Sequence, residues 1–328
     1  MTMQMPPEWH PQDWLWIGFP HDAEEWHGAL ARAQEQIAAF ANAVAESGQE
    51  VRLLVRDDAN EARARELVGS TVRLECRTYG DIWLRDTGPL VVLDADGQRI
   101  ARRFGFNGWG GKYMMAGDET VGSDLAASAG LPVEVADWIL EGGAVDGDGA
   151  GLAVTTEQCL LNPNRNPELS RGEIEARLAR DLGFEHVLWL GDGLLNDHTD
   201  GHVDNLARFV APDVLALPMA SGADDPNAAI YADARERARR FGVEIRDVPS
   251  PGRFEVGGRA EPASYMNFTV TTHLVVVPTF DSPHDADGVA AVAACFPGRA
   301  TIGLPADAVL AGGGGFHCAS QQMPSVSV

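Results

Sequence analysis

Five residues in separate parts of the chain could do chemistry together. Cys318 follows four consecutive glycines, Gly312–Gly315, and glycines allow a ligand to approach the backbone closely. A cysteine presented in this way is a candidate nucleophile, because the thiolate is its reactive form. The other four residues are acidic or histidine: Asp86, Glu141, His202 and Asp204. Together they predict a cysteine enzyme with a carboxylate-lined pocket, which a planar guanidinium cation would suit.

The upstream candidates differ in their local sequence. His202 and Asp204 are two residues apart, so a strand would place both side chains on one face, where they could transfer protons together. Glu141 ends a short apolar run, where an unpaired carboxylate would be costly to bury, and we expect a partner such as a histidine. Asp86 lies just before a Gly-Pro pair and could instead be an ordinary turn residue.

The remaining cysteines are predicted to be inert. Cys76, Cys159 and Cys295 lie among ordinary neighbours, and a cysteine is more often a small buried hydrophobe than a nucleophile. No Cys-x-x-Cys pair is present, which excludes a zinc ribbon or a thioredoxin-like motif. His317 is adjacent to Cys318, but in an extended chain its side chain would point away from the thiol.

The composition restricts the partners of the protein. The formal net charge is −23 and the sequence pI is about 4.6, which argues against binding to nucleic acid or to an anionic membrane. A negative field suits a cationic ligand, although acidity can also serve solubility alone. Lys112 is the only lysine, so Schiff-base chemistry would have to use it.

A cytoplasmic location is expected from the same composition. Four cysteines in 328 residues do not make a disulfide scaffold and favour a reducing compartment. The first residues lack the basic and apolar regions of a signal peptide. No apolar run reaches the roughly 18 residues needed to span a bilayer.

Strand and helix patterns alternate along the whole chain, which predicts an α/β protein. Apolar residues at steps of three and four predict an amphipathic helix near 28–46. A charged helix is expected at 58–68, and further helices near 118–129, 171–182, 226–241 and 285–295. Apolar runs paired around short polar turns predict hairpins near 89–104, 139–156, 206–217 and 266–277. Two stretches, 219–228 and 249–263, are expected to be flexible.

The chemically unusual residues recur at fairly even intervals. They are 51 to 65 residues apart, at Asp86, Glu141, His202, Asn267 and Cys318. A repeated unit of strand, helix and hairpin would bring one turn from each unit to a common axis. No domain boundary is evident, so residues 1–328 are expected to form a single catalytic domain.

Six motifs occur in order and cover nearly the whole chain. They are Met5-Pro-Pro-Glu-Trp9, Gly80–Pro89, Phe106–Tyr113, Glu141–Gly143, Thr199–Asn205 and Gly312–Cys318. These motifs resemble the agmatine deiminase family, which is related to the bacterial peptidylarginine deiminases. The resemblance implies the pentein fold, an α/β propeller of five ββαβ-type units around a pseudo-five-fold axis. It also implies hydrolysis of agmatine to N-carbamoylputrescine and ammonia, for putrescine biosynthesis, without metal or cofactor.

The resemblance implies a role for each of the five residues. Cys318 attacks the guanidinium carbon of a small cationic substrate while Asp86 and Asp204 hold its nitrogens. His202 protonates the departing ammonia and then activates the water that hydrolyses the thiouronium intermediate. Glu141 orients His202 and stabilises its charged form. A grip by two carboxylates would aim the carbon at the sulfur. A homodimer is a further expectation.

Other positions bear on recognition of the substrate. Trp83 and Gly315 belong to the same motifs and are candidate substrate-binding residues. His198 and the pair Leu194-Leu195 stand where other members often carry more acidic residues, and Leu217–Pro226 departs from the usual pattern. These loops are expected to shape recognition of the far end of the substrate. Agmatine, free or peptidyl arginine and other guanidino compounds therefore stay open as substrates.

Three other functions compete with this interpretation. His198, His202 and the aspartates around them could form a metal site, but Gly201 disfavours the helical face that such a site would need. A cysteine amidase using Cys318 and His202 is the second, although an acyl intermediate needs oxyanion donors and not two carboxylates. A guanidino-binding protein without catalytic activity is the third.

Overall fold

The computed structural model describes residues 3–26 and 28–326, and its strands form small sheets that repeat one pattern. In chain order the strands are β1 Gln12–Gly18, β2 Glu50–Val55, β3 Val72–Cys76, β4 Leu90–Leu93, β5 Arg99–Gly105, β6 Val133–Ile139, β7 Val145–Gly147, β8 Leu152–Thr156, β9 His186–Leu190, β10 Arg208–Ala211, β11 Val214–Met219, β12 Glu244–Pro249, β13 Glu255–Val256, β14 Arg259–Ala260, β15 Thr269–Val270, β16 Leu274–Thr279, β17 Ala300–Pro305 and β18 Ser320–Pro324.

The helices alternate with these strands. They are α1 Leu30–Glu46, α2 Asp58–Leu67, α3 Leu84–Thr87, α4 Gly108–Gly111, α5 Asp118–Ser128, α6 Glu157–Leu160, α7 Arg171–Leu182, α8 Ala228–Phe241, α9 Asp285–Cys295 and α10 Asp307–Ala311. Single 3₁₀ turns span Gly142–Ala144, Val203–Asn205 and Tyr265–Asn267. No helix in residues 3–26 and 28–326 is both long and apolar enough to cross a membrane.

Four three-stranded sheets have the same order of strands. In each, an antiparallel pair is followed by a crossover that contains a helix, and the third strand lies parallel to the second. The sheets are β4-β5-β6, β7-β8-β9, β10-β11-β12 and β15-β16-β17. This arrangement confirms the predicted repeat of hairpin, helix and strand. The segment 249–263, expected to be flexible, contains the small hairpin β13-β14.

The remaining sheet joins the two ends of the described chain. Strand β18 pairs antiparallel with β1, with Ile17 opposite Ser320, and β1 then pairs parallel with β2. The order β18-β1-β2-β3 therefore repeats the hairpin-and-crossover pattern, with its first strand supplied from the other end of the chain. Cys318 thus lies just before the first strand of a sheet, as the upstream candidates do.

Packing of α1 against this sheet positions the segment before Cys318. Ile37, Phe40 and Val44 recur at steps of three and four and are fully buried. Burying such a side chain stabilises the fold by about 1.5–3 kcal/mol. Phe40 also stacks on Phe316, with ring centroids 4.8 Å apart. The helix face therefore holds the turn that carries the thiol.

A short turn precedes the first strand of each repeated sheet. These turns carry the candidate residues, because α3 contains Asp86, the 3₁₀ turns follow Glu141 or contain Asp204 and Asn267, and Cys318 lies two residues before β18. The turns also contact one another in succession, from α3 through the three 3₁₀ turns. One end of every sheet therefore faces a common centre.

Candidate active site

Cys318 lies in a buried turn at this centre. Its sulfur is 3.0 Å from Asn267 Nδ2, which donates to it, and 3.6 Å from Asp204 Oδ2. The Cys318 carbonyl accepts a hydrogen bond of 3.0 Å from the backbone amide of Arg85. The thiol is therefore held in place by the segments that carry two of the predicted acidic residues.

A pocket with a cavity volume of about 130 Å³ opens above the thiol. Three carboxylates are among its lining side chains, whereas no lysine or arginine of the described chain is. The lining residues are Glu25, Asp81, Trp83, Asp86, Trp109, Tyr113, Met115, His198, Thr199, Ala311, Gly312, Gly313 and Cys318. The surface around the sulfur therefore suits a positively charged ligand.

Three candidate side chains converge on one point next to Gly143. An ideal Cβ on this glycine would lie 2.6 Å from His202 Nδ1, 3.0 Å from Asp86 Oδ1 and 3.1 Å from Asp204 Oδ2. No side chain fits there, so the glycine allows the three polar atoms to approach one another. The structure thus brings together residues that are more than a hundred positions apart.

Asp86 is more than a turn residue. Its Oδ2 accepts a hydrogen bond of 2.9 Å from Trp109 Nε1, and its Oδ1 accepts one of 2.9 Å from the Gly143 amide. His202 Nδ1 lies 3.7 Å from Asp86 Oδ1. Trp109 adopts a φ of 53°, which is uncommon for a residue with a side chain. The backbone there is held in an unusual conformation that directs the indole to the carboxylate.

Asp204 is fully buried and contacts a histidine that the sequence did not suggest. Its Oδ2 lies 2.8 Å from His317 Nδ1. Burial raises the pKa of Asp204 well above its usual range, and the neighbouring Asp86 and Asp197 raise it further. The expectation that His317 points away from the site is wrong, because the turn before β18 is not extended and directs the imidazole inward.

Glu141 is fully buried, and its hydrogen-bond partner is an arginine. Arg165 Nε donates to Glu141 Oε1 over 2.6 Å. The expectation that a histidine is the hydrogen-bond partner of Glu141 is therefore wrong. His202 is nevertheless adjacent, with a ring nitrogen within 4.8 Å of a Glu141 oxygen. Glu141 Oε2 and His202 Nε2 are both buried without a hydrogen-bond partner among the described residues.

The predicted strand at 201–204 is also wrong. His202 has φ −53° and ψ 139°, and a 3₁₀ turn begins at Val203. The His202 amide is held by Thr199 Oγ1, 3.0 Å away. His202 and Asp204 still face the same site, but a tight turn places them there, since Gly201 has a φ of 83° that favours glycine.

The two further substrate-binding candidates have different surroundings. Trp83 lines the pocket and stacks on Trp26, with ring centroids 6.0 Å apart. Gly315 is not among the lining residues, and an ideal Cβ on it would lie 2.4 Å from Asn267 Oδ1. The absence of a side chain at Gly315 therefore makes room for Asn267, which in turn contacts the sulfur.

The electrostatics of the pocket favour a neutral thiol. Burial raises the pKa of Cys318 well above its usual range, and the nearby carboxyl groups of Asp204 and Asp86 raise it further when they are ionised, while hydrogen bonds from Gly315 and Asn267 oppose the rise. A cation in the pocket would offset both carboxylates. The thiolate is therefore expected to form when a cationic ligand is bound.

The other cysteines do not line this pocket. Cys159 is buried, as predicted, and burial raises the pKa of its thiol well above the usual range. Cys295 is half-buried, whereas Cys76 is exposed at the end of β3, so the expectation of a buried Cys76 is wrong. Cys318 is the cysteine that lines the acidic pocket.

One group of described residues has the spacing of a metal site, but a positively charged side chain lies beside it. Ligand atoms of Glu141, Cys159 and His202 lie within 4.8 Å of one another. The Arg165 guanidinium, already paired with Glu141, places a positive charge beside this group, which disfavours a metal cation. Asp200, from the alternative metal set, is engaged by Lys112 and Arg165 at 2.6 and 2.7 Å.

Comparison with known proteins gives consistent matches over the whole chain. The model of the Porphyromonas-type peptidyl-arginine deiminase family matches residues 4–324. The agmatine deiminase of Pseudomonas putida is 34% identical over 351 residues, which cover 98% of this chain and 95% of that protein.

Two solved structures have the same fold. The agmatine deiminase of Enterococcus faecalis superposes with a TM-score of 0.93 at 28% identity, covering 99% of this chain and 96% of that chain. The C. jejuni agmatine deiminase with substrate bound superposes with a TM-score of 0.92 at 27% identity, covering 98% and 96%. The predicted pentein fold is thereby confirmed. The chain belongs to the Porphyromonas-type peptidyl-arginine deiminase family.

Proposed function

We propose that this protein hydrolyses agmatine to N-carbamoylputrescine and ammonia, in putrescine biosynthesis, through a covalent intermediate on Cys318. The observation that carries the proposal is the position of the sulfur, 3.6 Å from Asp204 Oδ2 at the base of a pocket whose lining includes Asp86. Two carboxylates next to a thiol suit a guanidinium group, because it offers paired N–H donors in one plane. Relatives described as agmatine deiminases support the substrate.

In the first half of the reaction, the thiolate of Cys318 attacks the guanidinium carbon. Asp86 and Asp204 hold the nitrogens, so that the carbon faces the sulfur and the attack becomes effectively intramolecular. The C–N bond to one terminal nitrogen then breaks, and that nitrogen leaves as ammonia after His202 donates a proton. The substrate remains attached to sulfur as an S-alkylthiouronium group.

In the second half, water replaces the sulfur. His202 accepts one proton from the water, which attacks the thiouronium carbon. The C–S bond then breaks to release the ureido product and the thiolate, and the second proton of the water passes to solvent. Glu141 acts on His202 by orienting the imidazole and stabilising its charged form. The two orphaned atoms, Glu141 Oε2 and His202 Nε2, support this assignment because each is buried and lacks a partner among the described residues.

The charge of the lining favours a substrate without a carboxylate group. Glu25 and Asp86 line the pocket, and an α-carboxylate of free arginine would face them without a lysine or arginine of the lining to pair with. Agmatine carries an ammonium group at its far end and avoids this repulsion. Peptidyl arginine and other guanidino compounds are the alternatives.

A substrate panel tests this function. Agmatine, arginine, arginine methyl ester and an arginyl peptide are compared for ammonia and ureido product at equal concentrations. We expect agmatine to give the highest kcat/KM and Cys318→Ser to abolish turnover. Cys76→Ser, at an exposed position at the end of β3, is the matched control and should keep the parent activity. Higher activity on a carboxylate-bearing substrate, or normal turnover by Cys318→Ser, would contradict the proposal.

The same proposal places the protein in the cytoplasm as a single catalytic domain. The free state of Cys76, Cys159, Cys295 and Cys318 supports a reducing compartment. The pairing of β18 with β1 supports one domain, because it joins segments from opposite ends of the chain. Cell fractionation tests the location. The expected homodimer stays a prediction, to be checked by light scattering.

A further inference from the structure

His317 lies between two buried carboxylates. Its Nδ1 is 2.8 Å from Asp204 Oδ2, and its Nε2 is 3.2 Å from Glu8 Oε2. The side chains of all three residues are buried, with exposed fractions of 4%, 0% and 6% for His317, Asp204 and Glu8. The mechanism above does not use this histidine. Its position nevertheless links Asp204 to a second acidic group behind the site.

The position of Glu8 indicates which nitrogen of the His317 imidazole is protonated, whatever the state of Asp204. Glu8 forms an ion pair with Arg208, and its Oε1 accepts a hydrogen bond of 2.8 Å from the Val270 amide. A carboxylate with these partners is held in its ionised, hydrogen-bond-accepting form. The Glu8 oxygen, 3.2 Å away, therefore favours a proton on His317 Nε2.

The contact with Asp204 then requires one further proton. A lone pair on His317 Nδ1 would repel an ionised oxygen at 2.8 Å, so a proton must lie between the two atoms. It can belong to Asp204, which leaves both groups neutral, or to His317, which makes an imidazolium–carboxylate pair. The distance therefore shows that one proton lies between Asp204 and His317, and the charges around the pair decide which of the two residues it is bound to.

The surrounding charges decide where this proton rests when the pocket is empty. Asp204 faces Asp86 and Asp197, which disfavour its ionisation, and Arg85 and the thiol, which favour it. Besides the two carboxylates it contacts, His317 faces Arg208, Arg85 and His202, and burial together with these groups lowers its pKa well below the usual range. Both environments favour the neutral pair, with the proton on Asp204.

We propose that binding of the cationic substrate transfers this proton from Asp204 Oδ2 to His317 Nδ1. The O–H bond breaks, an N–H bond forms, and Asp204 becomes the carboxylate that holds the guanidinium. The positive charge of the imidazolium is compensated by Glu8 on its other side. No proton has to leave the buried site for solvent.

This inference rests on the proposed function, because the guanidinium supplies the driving force. An adjacent cation favours the charged form of a carboxylate, and it reverses the preference set by burial and by Asp86. His317 is therefore a positioning residue that acts through Asp204, and it touches neither the substrate nor the reacting atoms. The device would keep two neighbouring carboxylates from being charged together in an empty, buried pocket.

Nitrogen-15 NMR of histidine-labelled Cys318→Ala protein tests the transfer directly. Spectra are recorded without ligand and with saturating agmatine, and the His317 signals are assigned with His317→Asn. We expect the Nδ1 signal to change from the position of a non-protonated nitrogen to that of an imidazolium on binding. An Nδ1 signal that stays in one form, whether neutral or imidazolium, would overturn the inference.

Proton release on binding gives a second readout. Titration calorimetry of agmatine binding is run between pH 6 and 8 in buffers of different ionisation enthalpy, in the Cys318→Ala background. His317→Asn keeps an amide donor near Asp204 but cannot accept a proton. We expect it to release about one more proton per bound agmatine than the parent, and its Kd to rise about tenfold for each unit that the pH falls.

His186→Asn is the matched control, because His186 is exposed at the start of β9. It should release the same number of protons as the parent. Equal proton release by His317→Asn and the parent would show that the imidazole only positions Asp204 by a hydrogen bond. A failure of the proposed function would appear separately, as absence of ammonia release from agmatine by the unmodified enzyme.

Discussion

Asn267 donates its amide N–H to the sulfur of Cys318 over 3.0 Å, and its Oδ1 accepts the His317 amide over 3.0 Å. A hydrogen bond to a charged group contributes about 1.5–3 kcal/mol. We therefore expect Asn267→Ala to raise the pKa of the Cys318 thiol and to lower kcat/KM for agmatine by roughly 10–100-fold. The pH dependence of iodoacetamide alkylation measures the thiol pKa, and steady-state kinetics measure kcat/KM.

Asn42→Ala is the control for this substitution. Asn42 bonds to the backbone of Leu67 and Gly69 and is not among the residues that line the pocket. Its removal should leave both readouts at the parent value. If Asn267→Ala also left the alkylation profile unchanged, the amide would have no part in stabilising the thiolate.

Asp81 gives a prediction for stability against pH. Burial raises the pKa of this carboxyl to about 7, and Asp118 adds to the rise. The folded protein then holds a proton that the unfolded chain loses above about pH 4, so the stability contributed by neutral Asp81 falls as the pH rises toward 7. We expect Asp81→Asn to gain stability relative to the parent over this interval, by roughly 1.4 kcal/mol per pH unit.

Urea unfolding at pH 4 to 8 measures this difference. The gain should level off above about pH 7, where folded Asp81 is ionised as well. Asp124→Asn, at an exposed position in α5, should show no comparable trend. If the free energies of unfolding of Asp81→Asn and the parent differed by the same amount at every pH, the pKa of Asp81 would be the same in the folded and unfolded states. That result would contradict the prediction.

The acidic candidates and the nucleophilic cysteine could be found from the sequence, whereas the side chains that bond to them, Asn267 and His317, could not. Cys318, Asp86 and Glu141 were recognisable from their unusual local sequences. Asn267 was noticed only by its interval, because an amide gives no chemical signal until a sulfur lies beside it. His317 was misjudged, since its direction depends on the tertiary turn before β18.

The turns that precede the first strands of the sheets bring these side chains together. Gly143 shows how closely they pack, because a Cβ there would lie within 3.1 Å of His202, Asp86 and Asp204. Overpacking of this kind typically costs about 1–3 kcal/mol. We expect Gly143→Ala to lower kcat/KM by roughly 10–100-fold through displacement of these groups.

Gly172→Ala is the matched control for Gly143→Ala. An ideal Cβ on Gly172, in helix α7, meets no atom within 4 Å. Alanine in a helix is more favourable than glycine by about 0.5–1 kcal/mol, so this variant should be slightly more stable and fully active. Parent activity in Gly143→Ala would show that the convergence of the three side chains is not needed for turnover.

The helices and hairpins were predictable because their apolar periodicity is local. The predicted helix 171–182 coincides with α7, and the predicted 28–46 begins two residues before α1. The segment 201–204 was misread, since two-residue alternation fits a strand and a tight turn equally well. The pairing of Glu141 with Arg165 was also missed, because ion pairs between loops leave no periodic pattern.

For the chain as a whole, the closure of the ring by β18 and β1 was beyond prediction from local sequence. This pairing joins residues some three hundred positions apart, and the sequence contains no periodic signal for it. The even spacing of the chemically unusual residues indicated the repeat but not how its ends meet.

The net charge of the whole molecule gives a prediction for ionic strength. A formal charge of −23 attracts a cationic substrate, and salt screens this attraction over about 10 Å at 0.1 M. We expect kcat/KM for agmatine to fall roughly two- to tenfold between 10 and 500 mM NaCl. The control is kcat at saturating agmatine, which should change little, because binding no longer limits the rate. A kcat/KM that is independent of salt would contradict the role of the field.

Mass spectrometry of enzyme quenched in acid during turnover of agmatine tests covalent catalysis most directly. We expect the peptide that contains Cys318 to gain the mass of agmatine less one ammonia, while the peptides with Cys76, Cys159 and Cys295 stay unmodified. Steady ammonia release with no adduct on Cys318, or an adduct on another cysteine, would contradict the account.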